Sequence, residues 1–256
     1  MRDQHKRKDV WHRKMRYGKK LCAAGISICL LLTGCSGLPF GKDKSRDVYT
    51  PPKSTDVECT QEPEVIGMSD EDATYASLEY LNLMSDEEKV GQLFNVNLEL
   101  LDQTKGQYYE HKKLTKAMKE TLEQYPVGGV TLFSRNIWNR KQTKKLIRKL
   151  QKNSSTPLFV CVDEEGGDVA RIGNNPKMKT DTFPSMEEIG KTEDADYVYY
   201  MAETIGSQIG ELGFNVDFAP VADVKTTEMN SEIGTRSFGD DPKKVAEYVS
   251  AYVKGL

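Results

Sequence analysis

Three consecutive carboxylates, at residues 163–165, are the feature of this sequence best suited to chemistry. They follow an apolar run, and in an extended backbone Asp163 and Glu165 share one face while Glu164 takes the other. Carboxylates this close repel one another, so the cluster needs a cation or a hydrogen-bonding ligand, and Arg171 follows a few residues later. Three uses remain open: ligands for a metal ion, a catalytic carboxylate pair, and acceptors for the hydroxyls of a sugar.

A metal site would need further ligands, and the sequence does not place them at a recognisable spacing. His111 is the only histidine after residue 34, and only Cys59 and Cys161 follow Cys35 among the cysteines. We therefore predict no metal and no cofactor. We also expect no disulfide between Cys59 and Cys161, because it would tie a polar segment to a buried strand.

The acidic cluster belongs to an alternation of strands and helices. Apolar runs predict strands at residues 93–98, 127–133, 157–162 and 214–221. Helical spacing and capping residues predict helices from Asp70, from Ser85, at 111–124, 141–150 and 197–212, and from Pro242. Four β/α units predict a parallel sheet, either doubly wound or closed as a barrel. In both, polar residues after strand ends are functional candidates, here 134–136, 163–167 and 223–236.

The first 34 residues have the pattern of an export signal. Nine Lys/Arg and two Asp/Glu are followed by an uncharged apolar run at residues 21–32, too short for the roughly 20 residues that span a bilayer. Leu-Thr-Gly-Cys at residues 32–35 resembles the bacterial lipobox, which predicts lipidation of Cys35 and a location on the extracytoplasmic face of the cell membrane. An uncleaved membrane helix is the alternative, and Met15 is an alternative start.

Residues 35–75 are rich in Gly, Pro, Ser, Thr and charge, and they predict a flexible linker. The chain beyond residue 34 holds 27 basic and 37 acidic residues. This acidic balance argues against a nucleic-acid partner for the body of the protein, whereas the membrane is expected as a partner through the anchor.

Five segments carry a further resemblance. They are residues 84–94 (Met to Phe), 127–135 (Val-Gly-Gly-Val-Thr-Leu-Phe-Ser-Arg), 162–171 (Val-Asp-Glu-Glu-Gly-Gly-Asp-Val-Ala-Arg), 218–224 (Phe-Ala-Pro-Val-Ala-Asp-Val) and 233–242 (Ile-Gly-Thr-Arg-Ser-Phe-Gly-Asp-Asp-Pro). In this order they are similar to the sequence signatures of glycoside hydrolase family 3. The similarity is greater to the β-N-acetylhexosaminidases than to the β-glucosidases of that family.

The resemblance implies an α/β fold, a (β/α)8 TIM-type barrel of which only the N-terminal part, about four β/α units within residues 76–256, is present. It implies that Asp163 accepts hydrogen bonds from the hydroxyls of a non-reducing sugar, and that Arg171 and Arg236 line the same pocket. The implied partner is a carbohydrate, an amino-sugar glycoside. The implied reaction is retaining hydrolysis of terminal β-N-acetylhexosamine residues through an Asp nucleophile and a covalent glycosyl-enzyme.

The sequence departs from the family pattern in two places and lacks the segments that carry the family's catalytic residues. Glu164 replaces a Gln, and Asp168 replaces an Arg. The family's nucleophile and its His-Asp acid/base have no counterpart in these 256 residues, so we name no catalytic residue and expect this chain alone to be inactive. We expect the chain to be the N-terminal portion of an exported hexosaminidase. Two alternatives remain open: a non-catalytic sugar-binding surface lipoprotein, and a remnant that does not fold.

Overall fold

A computed structural model describes residues 69–106, 108–227 and 232–256, and its compact unit is Tyr75–Leu256. The predicted signal peptide, Cys35 and most of the predicted linker lie outside the described residues. Within the described ranges, no helix combines the length and the apolar character needed to cross a bilayer. The helix predicted from Asp70 does begin there, inside the range assigned to the linker.

Four parallel strands form the main sheet, and two short strands form an antiparallel pair. The strands are β1 (Asn95–Asn97), β2 (Gly129–Thr131), β3 (Phe159–Val162), β4 (Glu164–Gly166), β5 (Val169–Ala170) and β6 (Val216–Asp217). The main sheet has the order β1-β2-β3-β6, with every neighbouring pair parallel. Because a doubly wound sheet reverses its strand order and a barrel does not, this sequential order favours the barrel. The mixture of helices and parallel strands is that of a partial α/β barrel.

Seven α-helices flank the strands along the described part of the chain: two precede β1, four lie between strands of the main sheet, and one follows β6. They are α1 (Asp70–Leu83), α2 (Asp86–Gly91), α3 (Lys116–Gln124), α4 (Arg140–Asn153), α5 (Met186–Gly190), α6 (Ala195–Leu212) and α7 (Pro242–Gly255). The predicted capping box of α2 is present: Ser85 accepts a hydrogen bond from the Glu88 backbone N–H, and Glu88 accepts one from that of Ser85. Asp241 caps α7 and Pro242 is its first residue, as predicted.

The two faces of the sheet have different surroundings. Val130, Val160 and Val162 are fully buried in a core that they share with apolar residues of α3, α4, α6 and α7. On the other face Phe159 remains 60% exposed and Asn95 is also exposed, whereas Cys161 and Thr131 are buried. A barrel covers the outer face of its sheet with helices and turns the other face inward, so this distribution fits the barrel architecture.

The first predicted strand and the helix that follows it are both shorter than expected. The helix predicted over 111–124 begins only at Lys116, because the Thr115 side chain caps it by accepting the Met118 backbone N–H at 3.1 Å. The strand predicted over 93–98 contains only Asn95–Asn97, because the chain turns into a 3-10 helix immediately afterwards.

The fourth predicted strand is also shorter. Of residues 214–221, only Val216–Asp217 pair with a neighbour in the main sheet. Pro220 lacks a backbone N–H and cannot continue the ladder. The early end of β6 places the side chain of Asp217 at the carboxyl edge of the sheet, next to the acidic cluster.

Candidate functional site

The acidic cluster lies where β3 ends, at the carboxyl edge of the main sheet. Asp163 follows the last residue of β3, and Glu164 and Glu165 form the start of β4. Asp217 ends the neighbouring strand β6. The structure therefore brings four carboxylates together, and each has a different environment.

Asp163 and Arg171 form an ion pair, as their proximity in the sequence had suggested. Arg171 Nη2 donates to Asp163 Oδ2 at 3.1 Å, and the two side chains are 28% and 22% exposed. The backbone N–H of Arg171 also donates to the Asp163 carbonyl, at 3.3 Å. Both charged groups are thus fixed relative to each other and remain accessible to solvent.

Glu165 binds Arg236, which lies 71 residues further along the chain. Arg236 Nε donates to Glu165 Oε2 at 2.8 Å and Nη2 donates to Oε1 at 2.6 Å, while the Glu165 side chain is only 4% exposed. These hydrogen bonds raise the pKa of Arg236, because they stabilise its charged form. Arg236 therefore reaches the cluster through Glu165, a partner that the sequence analysis did not identify.

Glu164 points away from the exposed part of the cluster. Its two carboxylate oxygens accept the backbone N–H groups of Ile172 at 2.6 Å and Gly173 at 2.7 Å. Burial raises the pKa of Glu164, and these hydrogen bonds oppose that shift. A glutamine offers only one acceptor oxygen, so a glutamate suits this pair of donors better than the family's Gln. Glu164 thereby fixes the turn that carries Arg171.

Asp217 is the most perturbed carboxylate of the cluster. Burial is the main cause, and the charges of Glu164, Asp163 and Glu165 add to it, so that the pKa of Asp217 rises to about 7. Its Oδ1 accepts the Glu164 backbone N–H at 2.9 Å. Its Oδ2 is buried and has no hydrogen-bond partner within the described residues. The sequence analysis missed Asp217, because it lies in the middle of the strand predicted over 214–221 and only the structure shows that the strand ends there.

A second charged cluster forms at the ends of β1 and β2, from the predicted candidate segment 134–136. Arg135 donates to both oxygens of the buried Glu99, at 2.7 and 3.1 Å, and Asn136 Nδ2 donates to Oε1 at 2.8 Å. Burial pushes the pKa of Glu99 upward, but the hydrogen bonds from Arg135 and Asn136 outweigh it and leave the pKa below its usual value. All three hydrogen bonds join groups of the protein to one another, so the cluster stabilises the loops around the site.

Asp168, one of the two departures from the family pattern, is exposed to solvent. In the part of the chain that the structure describes, no group of three or more His, Cys, Asp or Glu residues is arranged to hold a metal ion. The three predicted site residues lie together at the acidic cluster. Asp163 pairs with Arg171, and Arg236 pairs with Glu165.

Comparisons with known proteins give this cluster a context. The model of the glycosyl hydrolase family 3 N terminal domain matches residues 85–256. Beta-hexosaminidase A of Pseudoalteromonas piscicida is 36% identical over 151 residues, which cover 56% of this chain and 25% of that protein. Among solved structures, a glycoside hydrolase family 3 β-N-acetylglucosaminidase from Paenibacillus sp. str. FPU-7 matches with a TM-score of 0.59 and 28% identity, over 67% of this chain and 31% of that one.

A solved structure with a bound amino sugar also matches. It is NagZ from Neisseria gonorrhoeae in complex with N-trifluoroacetyl-D-glucosamine, with a TM-score of 0.55 and 25% identity. The match covers 64% of this chain and 47% of that one. The chain thus spans between a quarter and half of the length of these relatives.

Proposed function

Because the chain belongs to glycosyl hydrolase family 3, we propose that it forms the sugar-binding part of a β-N-acetylhexosaminidase. Its substrate is a glycoside that ends in a β-linked N-acetylhexosamine. In this proposal Asp163, Arg171 and Arg236 bind the terminal sugar, and none of them breaks the glycosidic bond. Support for the amino sugar comes from the relatives, one of which is NagZ in complex with N-trifluoroacetyl-D-glucosamine.

The single observation that carries the proposal is the accessible Asp163–Arg171 pair at the carboxyl edge of the sheet. Only Oδ2 of Asp163 has a hydrogen bond among the described residues, so Oδ1 is available to accept one from a sugar hydroxyl. Carboxylates and guanidinium groups form short, charge-assisted hydrogen bonds with strong directional preference. Such bonds suit the closely spaced hydroxyls of a pyranose.

The remaining carboxylates of the cluster are arranged for support. Both oxygens of Glu165 accept from Arg236, and both oxygens of Glu164 accept from backbone N–H groups. A nucleophile must reach the anomeric carbon, whereas these two side chains are buried and each of their oxygens already accepts a hydrogen bond. The function proposed for this cluster is therefore binding and orientation.

A second reading is a surface lipoprotein that binds sugar without hydrolysing it. It is favoured by the same geometry, because the described cluster contains binding groups and no pair of accessible carboxylates. The two possible functions share the sugar site and differ only in whether the bound glycoside is hydrolysed.

We also propose that the protein is anchored to the extracytoplasmic face of the cell membrane through a lipid on Cys35. The lipobox-like residues 32–35 directly after the apolar run support this proposal. A linker over residues 35–75 would allow the sugar-binding unit to reach substrate at some distance from the bilayer.

The test is a titration of the purified chain with N-acetylglucosamine, followed by calorimetry or by ligand-observed NMR. We expect Asp163→Ala to weaken binding at least about tenfold, since a lost charged hydrogen bond costs about 1.5–3 kcal/mol. Asp168→Ala is the matched control, because Asp168 is an exposed carboxylate at the opposite end of β4 from Asp163. Equal weakening by the two substitutions, or no binding by the parent chain, would contradict the proposal.

A further inference from the structure

Helix α4 has an unusual charge composition for this protein. Its 14 residues, Arg-Lys-Gln-Thr-Lys-Lys-Leu-Ile-Arg-Lys-Leu-Gln-Lys-Asn, contain seven cations and no carboxylate. Each of the other six α-helices that the structure describes contains at least one Asp or Glu. The concentration of positive charge stands out further because the chain after residue 34 has 37 acidic and 27 basic residues.

Six of these cations lie on one side of the helix, and we call them the basic face of α4. They are Lys141, Lys144, Lys145, Arg148, Lys149 and Lys152, and all six are exposed. Their spacing of three or four residues matches the helical period, so they form one stripe. At 1.5 Å of rise per residue, the stripe is about 17 Å long.

The direction of this face is fixed by packing on the opposite side. Thr143, Leu146, Ile147 and Leu150 are buried against the core. The apolar side of α4 is therefore already used by the fold and is not available to enter a membrane or a partner's groove. What α4 presents outward is charge.

The other described helices mix lysines that form ion pairs with lysines that do not. Lys89, Lys116 and Lys244 each form an ion pair with a carboxylate, whereas Lys119, Lys243 and Lys254 are exposed and form none among the described residues. In α4 only Arg140, outside the basic face, has such a partner, Glu211. Among the described residues no ion pair involves the six cations of the basic face. Like charges three and four positions apart destabilise a helix, so the arrangement has a cost in the free protein.

We infer that the basic face of α4 is a docking surface for an anionic phospholipid bilayer. A planar array of phosphate groups is complementary to an exposed stripe of cations that cannot insert, and each Lys or Arg near such a surface adds to the attraction. The inference rests on the proposed anchoring through Cys35, which would hold the basic face close to lipid headgroups and raise their effective concentration. The acidic remainder of the chain disfavours binding to nucleic acid.

The anchor and the basic face would then act together. A lipid anchor restricts the protein to the membrane but leaves the orientation of the tethered unit free, whereas a charged stripe on one helix selects one side. Binding of the stripe would place α4 against the headgroups. The sugar-binding cluster involves none of the six cations, so its affinity for sugar should not depend on them.

The experiment measures binding to vesicles with the full 256-residue chain carrying Cys35→Ala, so that no acyl chain contributes. One variant replaces Lys144, Lys145, Arg148 and Lys149 with Gln, a good helix former. The matched control replaces four exposed lysines elsewhere, Lys116, Lys119, Lys243 and Lys254, with Gln. Residues 1–34 are identical in every protein, so their own affinity for the vesicles is a constant background.

On vesicles of phosphatidylcholine with phosphatidylglycerol, we expect the α4 variant to bind at least tenfold more weakly than the parent and the control to stay within twofold. The difference should shrink at high salt, because screening weakens interactions between exposed charges. It should be absent on phosphatidylcholine alone. Circular dichroism should show the same helix content in all three proteins, and titration with N-acetylglucosamine should give the same affinity, which separates this inference from the proposed sugar site.

Three results would overturn the inference. The first is equal binding of the parent and the α4 variant to the anionic vesicles. The second is an equal loss in the control variant, which would assign the effect to total charge rather than to α4. The third is tighter binding of the parent to soluble polyphosphate than to vesicles at the same concentration of negative charge, which would identify a soluble polyanion as the occupant.

Discussion

Arg236 and Glu165 are joined by two parallel hydrogen bonds, Nε to Oε2 at 2.8 Å and Nη2 to Oε1 at 2.6 Å. The pair connects β4 to a loop 71 residues later, and its two members are unequally buried: the Glu165 side chain is 4% exposed and that of Arg236 is 34% exposed. A buried charge such as that of Glu165 has no access to water when it loses its partner, whereas a partly exposed charge such as that of Arg236 is rehydrated. The two residues should therefore respond differently to removal of the other.

Arg236→Ala should reduce the free energy of unfolding more than Glu165→Gln does. The first leaves a buried carboxylate without its partner and should cost about 2–4 kcal/mol. The second leaves a guanidinium that water can reach and should cost about 1–2 kcal/mol. Urea unfolding of both single variants and the double variant measures the difference. A larger loss for Glu165→Gln would contradict the burial argument.

The elevated pKa of Asp217 should make stability depend on pH. Its pKa of about 7 in the folded state lies above its ordinary value of 3.8, so the folded protein binds the proton more tightly than the unfolded chain. The favourable contribution is complete below about pH 4 and is lost as the pH rises through 7. Asp217 should therefore destabilise the fold at pH 8, by up to roughly 4 kcal/mol.

Asp217→Asn should remove much of this pH dependence. Asn keeps an oxygen to accept the Glu164 N–H and carries no charge beside the other carboxylates. We expect the variant to be about 2 kcal/mol more stable than the parent at pH 8 and nearly equal to it at pH 5. Urea unfolding at both values tests this. Loss of stability at pH 8 would show that the Asp217 carboxylate has a favourable partner.

Much of the fold follows from local patterns in the sequence. The capping residues Ser85 and Asp241 correctly predicted the starts of two helices, because a cap depends on side chains and backbone only a few residues apart. The helix predicted over 141–150 was found as Arg140–Asn153 because its apolar spacing is strong. Strand lengths were predicted less well, since a strand ends where its neighbour ends, and pairing is not a local property.

The candidate site also contains contacts that the local sequence predicts and contacts that it does not. The pair between Asp163 and Arg171 was predictable, since eight residues and a glycine turn separate them. The partner of Arg236 was not, because the acidic cluster offers three carboxylates and the sequence gives no register between β4 and a loop 71 residues away. The desolvation of the Asp217 carboxylate was equally hidden, because it depends on packing from distant elements such as α7, whose Tyr252 donates to the Glu164 carbonyl.

The proposed anchor gives a prediction that is independent of the sugar site. In a bacterial host, metabolic labelling with a fatty acid should mark the parent protein, because lipid is attached to the thiol of Cys35. Cys35→Ala should abolish both the label and the cleavage after Gly34, as seen by autoradiography and by the mass of the product. Cys59→Ala is the matched control and should be labelled like the parent. Label that persists on the Cys35→Ala protein would exclude Cys35 as the site of attachment.

The 256-residue chain should not hydrolyse an aryl β-N-acetylglucosaminide. Retaining hydrolysis needs a nucleophile and an acid/base about 5–5.5 Å apart, and a second accessible carboxylate is missing from the described cluster. Asp163 has a partly exposed side chain and a free oxygen, but Glu164 and Glu165 are buried and Asp217 has one oxygen accepting a backbone N–H and the other buried. A positioned acid/base alone is worth roughly 10²–10⁴-fold in rate, so its lack removes most of the catalysis.

The assay compares release of the aryl group by the parent chain, by Asp163→Ala and by a mock preparation, with an active hexosaminidase as the positive control. We expect the parent and Asp163→Ala to equal the mock preparation, while titration with N-acetylglucosamine still separates them by at least about tenfold. Binding without turnover would assign these residues to recognition of the sugar. Turnover by the parent well above the mock rate, lost in Asp163→Ala or Asp217→Asn, would instead place a reacting group within the described cluster.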